Sequence, residues 1–138
     1  MNRLVVLVAA VLLAAAACAG APPVPSPSPI VLEGTSWRAI LVDGGRPVVG
    51  AEPTVAFGGA RVQGTDGCNS YGGDVVFTGS GFHLGEIAST LILCEGQVGV
   101  ISGAFLTILG DVKRIGMIDG RLVLAGPAGE IVLVPVVG

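Results

Sequence analysis

Residues 64–73 read Gly64-Thr65-Asp66-Gly67-Cys68-Asn69-Ser70-Tyr71-Gly72-Gly73, which sets a cysteine among turn-forming residues in a chain with three cysteines. Loops built from Gly, Asn, Asp and Ser often carry function, because a rigid scaffold presents them. Cys68 is therefore a candidate nucleophile, a metal ligand or half of a disulfide. The same composition predicts turns: Gly64, Asp66-Gly67 and Gly72-Gly73 are expected to be sharp corners between strands. Asn69 is expected to bond to the backbone locally, as asparagine does in such turns.

Outward from this stretch, short β-prone runs alternate with Gly, Asp-Gly or Pro punctuation. Strands are predicted over 35–42, 53–57, 60–64, 74–77, 82–87, 90–93, 113–118, 121–125 and 130–136. Asp119-Gly120 between two of these runs is a hairpin signal. One segment breaks the rhythm: in residues 97–109, Val98, Ile101, Phe105 and Ile108 recur at spacings of three and four, which marks one face of a helix. Gly103 weakens that helix by about 1 kcal/mol relative to Ala. The fold expected is mainly β with one α-helix, a small curved sheet capped by the helix's apolar face. Trp37, Phe57, Ile101 and Phe105 are expected in the core.

The N-terminus has a different character. Arg3 precedes an unbroken apolar run of 14 residues, Leu4 to Ala17, shorter than the roughly 20 needed to cross a bilayer core. A basic start, an apolar centre and small residues at the end describe a secretory signal peptide over 1–17. Ala15-Ala16-Ala17-Cys18 resembles a bacterial lipobox, which implies acylation of Cys18 and a membrane anchor on the extracytoplasmic face. Residues 19–29 hold five prolines and no charge, so 18–30 reads as a lipidated cysteine with a semi-rigid tether. The remainder, 31–138, is the size of one domain and is expected to be monomeric.

Charge and chemistry narrow the function. The net charge is −3, charged residues are 12% of the chain, and no basic run exists, so nucleic acid has no electrostatic footing as a partner. If Cys18 carries lipid, Cys68 and Cys94 are the even remainder in an oxidising compartment and allow one pairing. The alternative is that both stay reduced and pack as small hydrophobes. The enzymatic alternative rests on Asp66, Cys68 and the single histidine, His83, but no spacing links them and His83 alternates with apolar neighbours like the outward residue of a strand. Zinc would need four ligands at suitable spacing, and no CxxC or HxxxH occurs. No catalytic residue, metal or cofactor is expected.

These residues, taken in order, resemble the META domain, also called the heat-shock HslJ-like domain, of bacterial envelope proteins. The resemblance runs through Leu32-Glu-Gly-Thr-Ser-Trp37, Pro53 with Phe57, and Gly64. It continues through Gly67-Cys68-Asn69 with Tyr71-Gly72-Gly73, then Ile87-Ala-Ser-Thr90 and Cys94. Phe105-Leu106 and the run Asp119 to Leu124 complete it. Ile92-Leu93 stands where the family often has Met-Ala, and the approach to the helix is less acidic than usual. The resemblance implies an incomplete β-barrel with one helix and a Cys68–Cys94 disulfide. Gly67, Asn69, Tyr71, Gly72 and Thr90 are its motif positions. It implies no reaction. The function expected is a non-catalytic envelope lipoprotein, a binding or stress-tolerance module. The alternative is a carrier of an acyl chain or peptide, using the cleft between barrel and helix, where Gly99, Gly103 and Ala104 would leave room.

Overall fold

The computed structural model describes residues 20–26 and 28–138. The leader and Cys18 lie outside the described residues. Nine strands and one helix follow in order: β1 (Ser36–Val42), β2 (Thr54–Gly58), β3 (Arg61–Thr65), β4 (Ser70–Phe77), β5 (Phe82–Ser89), α1 (Gly96–Gly110), β6 (Asp111–Val112), β7 (Arg114–Ile118), β8 (Arg121–Gly126) and β9 (Gly129–Pro135). They form one antiparallel sheet in the order β6-β5-β4-β3-β2-β1-β9-β8-β7.

The sheet rolls into a nearly closed barrel because one stretch of chain serves both of its ends. Within 111–118, β6 pairs with β5 through Val112 and Asp111, while β7 pairs with β8. Between them the Lys113 N–H donates to the Ala125 carbonyl at 2.9 Å, and the Ile115 N–H donates to Ser80 O at 3.0 Å. The strand alternation supplies the interior: Trp37, Ala39, Val55, Phe57, Val62, Tyr71, Val75, Leu122, Leu124, Ile131 and Leu133 are buried, with more exposed residues between them. Side chains of period two that share one face are what such a wall requires.

The two ends of the barrel are filled differently. At one end α1 leaves the end of β5 and returns to β6, with Ile101, Phe105, Ile108 and Leu109 buried against the sheet. Phe105 is fully buried, and its ring meets Tyr71 edge-on at 5.9 Å. At the opposite end Phe57, Phe77 and Phe82 form a ring cluster, with centroids 5.7 to 6.5 Å apart. There Leu32 is buried, and the Gly34 N–H donates to Phe57 O at 2.8 Å. We call these the helix end and the tether end.

Several expectations drawn from sequence need correction. Gly72-Gly73 is not a corner but the middle of β4, which begins at Ser70. Gly73 sits beside an irregularity in the β4–β5 register, where a Cβ would come within 2.9 Å of Glu86 O. Close backbone approach, rather than a turn, explains a glycine there. Gly64 likewise lies within β3. The run 90–93 is not a strand, since β5 ends at Ser89 and irregular chain leads to the helix. The cleft expected between barrel and helix is filled by the α1 core residues. A Cβ on Gly99 would lie 2.2 Å from Cys94 O, and Gly103 faces outward with nothing within 4 Å of a Cβ placed on it.

Candidate functional site

The motif residues converge at the helix end, in a knot between the β3–β4 loop and the chain leaving β5. Asp66, itself buried, folds the loop: its Oδ1 accepts the Cys68 N–H at 2.8 Å and the Asn69 N–H at 2.6 Å. Its own N–H donates to Asn69 O at 2.9 Å. This is an Asx-type turn, in which a short carboxylate stands in for backbone partners. Gly67 follows with φ +96°, and a Cβ there would lie 2.4 Å from Ala51 O, so the left-handed backbone and the tight approach both require glycine.

The turn presents Cys68 and Asn69 to the chain beyond β5. Cys68 and Cys94 are joined by a disulfide, with Cα atoms 6.0 Å apart, in the usual range for a bridge. The backbone groups that the Asn69 side chain bonds are not local but 23 residues away, although its amide also donates to Cys68 Sγ at 3.3 Å. Its Nδ2 donates to Ile92 O at 3.0 Å, while Oδ1 accepts the Ile92 N–H at 2.6 Å and the Thr90 hydroxyl at 2.9 Å. Thr90 also fixes the start of β4, its Oγ1 accepting the Ser70 N–H at 3.1 Å and its own N–H donating to Ser70 O at 3.0 Å. Leu91, Ile92 and Leu93 are held out into solvent by these ties.

Tyr71 points the other way, into the barrel. Its hydroxyl donates to Thr54 O at 2.8 Å. Burial, and behind it the negative charge of Asp66, push the phenol well above its ordinary range. Gly72 is half-buried within β4. Trp37 is buried, with its indole N–H donating to Thr35 Oγ1 at 2.7 Å.

The structure does not bring the suspected chemical groups together. His83 is exposed near the start of β5, toward the tether end, while Asp66 and Cys68 lie at the helix end. Asp66 is engaged by its own loop, and the Cys68 sulfur is in the disulfide. Among the described residues, no group of three or more His, Cys, Asp or Glu is placed to hold a metal ion.

A feature that sequence reasoning missed lies at the tether end. A cleft of about 630 Å³ opens between the tether residues 28–30, the β4–β5 turn and β7, with Ile30, Phe77, Ile115 and Met117 on its walls. No lining residue is charged. Nothing in the sequence marks it, because its three walls are distant in the chain.

The fold and the knot define a class: a small, nearly closed antiparallel barrel, plugged by one helix and stapled where helix and loop meet. The META domain family profile matches residues 31–135, and the chain belongs to that family. Two solved structures are similar in fold. One, described as the NMR structure of the protein from Burkholderia xenovorans, is 22% identical, with a TM-score of 0.63 over 86% of this chain and 97% of the other. The second, also an NMR structure, is 17% identical, with a TM-score of 0.63 over 74% of this chain and 89% of its own. A comparison with curated proteins gave no match.

Proposed function

We propose that the chain is an exported, lipid-anchored envelope protein whose META domain is a non-catalytic binding module. Family membership supports an envelope or stress-related module in general terms. The observation that carries the finer reading is the Cys68–Cys94 disulfide. It uses both domain cysteines, as an oxidising destination favours, and leaves Cys18, at the end of the lipobox-like run, as the one cysteine for acylation. Two or more acyl chains on Cys18 anchor stably, where a single chain binds only marginally. The tether residues 19–30 then set the domain off the bilayer; at about 3.1 Å per residue in an extended polyproline conformation they reach up to about 37 Å.

The test is the intact mass of the protein extracted from membranes, measured with and without reductant. The reading predicts a mature chain beginning at Cys18 with a diacylglycerol-sized addition, and a gain of two hydrogens on reduction. A chain that carries that addition after Cys18→Ser, or that is cleaved elsewhere and bears no lipid, overturns the anchor.

A second reading, a carrier for an acyl chain or a peptide, is supported by the tether-end cleft rather than by the helix.

A further inference from the structure

Strand β7 is the last strand of the sheet order, hydrogen-bonded as a strand on the β8 side alone. Asp119-Gly120 is a two-residue turn, so its flanking pair, Ile118 and Arg121, exchanges backbone hydrogen bonds. Alternation then points the backbone groups of Gly116 and Arg114 toward β8 and those of Ile115 and Met117 away from it. Ile115 agrees, since its N–H reaches Ser80 O on the outer side. The Ile115 carbonyl and both backbone groups of Met117 are left facing out of the sheet, with no backbone partner among the described residues.

These groups border the tether-end cleft, which Ile115, Gly116 and Met117 help to line. Phe77 and Met117 stand half-exposed on its walls at 48% and 43% of full exposure. The Phe77 ring is held in place by Phe57 and Phe82. At about 630 Å³ the cleft falls in the size range of ligand sites, roughly 300–1,000 Å³.

We infer that this cleft binds an extended, uncharged polypeptide segment of a partner protein, which adds to the Met117 edge as a further strand. An unpaired strand edge calls for backbone donors and acceptors, which a peptide supplies and a hydrocarbon chain does not. The uncharged lining offers no partner to a charged side chain turned into the cleft, so the inward positions, which recur every second residue, are uncharged. Among the described residues, no backbone group of the tether bonds to this edge, although Ser28, Pro29 and Ile30 lie on the opposite wall of the cleft. This inference rests on the reading of the domain as a binding module, and not on the acylation of Cys18.

The experiment follows amide hydrogen exchange at single residues in the full chain, kept in detergent whether or not Cys18 is acylated, with a capped heptapeptide of alternating serine and valine as probe. Without peptide, the Met117 N–H should exchange rapidly while the Ile115 N–H is protected by Ser80. Peptide should protect Met117, and the same peptide N-methylated at every nitrogen, which leaves neither edge with an N–H to donate, should not. Met117→Pro removes an outward N–H, which an edge strand tolerates, and should weaken the peptide by about tenfold or more. Equal binding of the methylated peptide, or a Met117 N–H already protected in the free chain, overturns the proposal. So does a fluorescent fatty acid that fills the cleft where the peptide does not, which would favour an acyl chain. The Cys18 mass is a separate readout, so the two readings can fail independently.

Discussion

The Asn69 side chain pairs with Ile92 at both of its polar ends, donating to the carbonyl at 3.0 Å and accepting the N–H at 2.6 Å. The pairing imitates a strand contact and holds an apolar tripeptide away from the barrel. Asn69→Ala removes these bonds and the one to the Thr90 hydroxyl. At about 0.5–1 kcal/mol net for each of these three partly exposed bonds, we expect a loss of about 1.5–3 kcal/mol. Local opening should be larger than the global loss suggests. Thermolysin, which cuts before Leu and Ile, should nick the variant within 90–93 faster than the parent, and equal nicking rates would show that Asn69 does not hold the segment.

The disulfide closes a loop of 26 residues. In the chain-entropy model such a crosslink stabilises by about 3.5 kcal/mol, a large share of a small domain's stability. Replacing both Cys68 and Cys94 with Ala should lower the denaturation midpoint accordingly and abolish its dependence on reductant. Binding at the tether end should survive in the folded fraction, because the disulfide lies at the other end of the strands. Loss of peptide binding by a folded double variant would show instead that the crosslink at the helix end shapes the tether-end cleft.

Tyr71 is the single tyrosine, so phenolate absorbance reports it alone. Its phenol titrates higher in the folded protein than in the unfolded chain, where tyrosine ionises near pH 10. Its stabilisation is therefore fully present below about pH 10 and is lost as the pH climbs further, at up to about 1.4 kcal/mol per pH unit. In Tyr71→Phe that alkaline loss should be much reduced. At neutral pH the variant should cost about 1 kcal/mol, because Thr54 O loses its partner. Phenolate appearing near pH 10 while the fold persists would contradict the burial of Tyr71.

Ala60 occupies the second position of the Gly59-Ala60 turn between β2 and β3 with φ +58°. A side chain in the left-handed region costs roughly 1–2 kcal/mol, part of which glycine returns through the entropy of the unfolded chain. Ala60→Gly should therefore stabilise by about 0.5–1 kcal/mol in urea denaturation. A neutral or destabilising result would mean that the Ala60 methyl makes a compensating contact.

Sequence alone determined the β-rich architecture, the single helix and the hairpin at Asp119-Gly120. Those rest on local physics: alternation of period two, recurrence near 3.6, and two residues able to take positive φ, as Asp119 at +50° and Gly120 at +74° do. The pairing of Cys68 with Cys94 was legible for another reason: once the lipobox-like run sets Cys18 apart, two of the three cysteines remain with one intramolecular choice, and the resemblance implies the same pair. Tertiary structure decided what depends on contacts between distant segments. Gly72-Gly73 looked like a turn because composition cannot separate a glycine needed for bending from one needed for close approach, and only the register with β5 does so. Residues 90–93 looked like a strand because their side chains favour one, yet the Asn69 amide, 23 residues away, takes the backbone bonds of Ile92. The open edge at Met117 and the cleft beside it arise where three separated stretches meet as the barrel nearly closes, a proximity that no local pattern encodes.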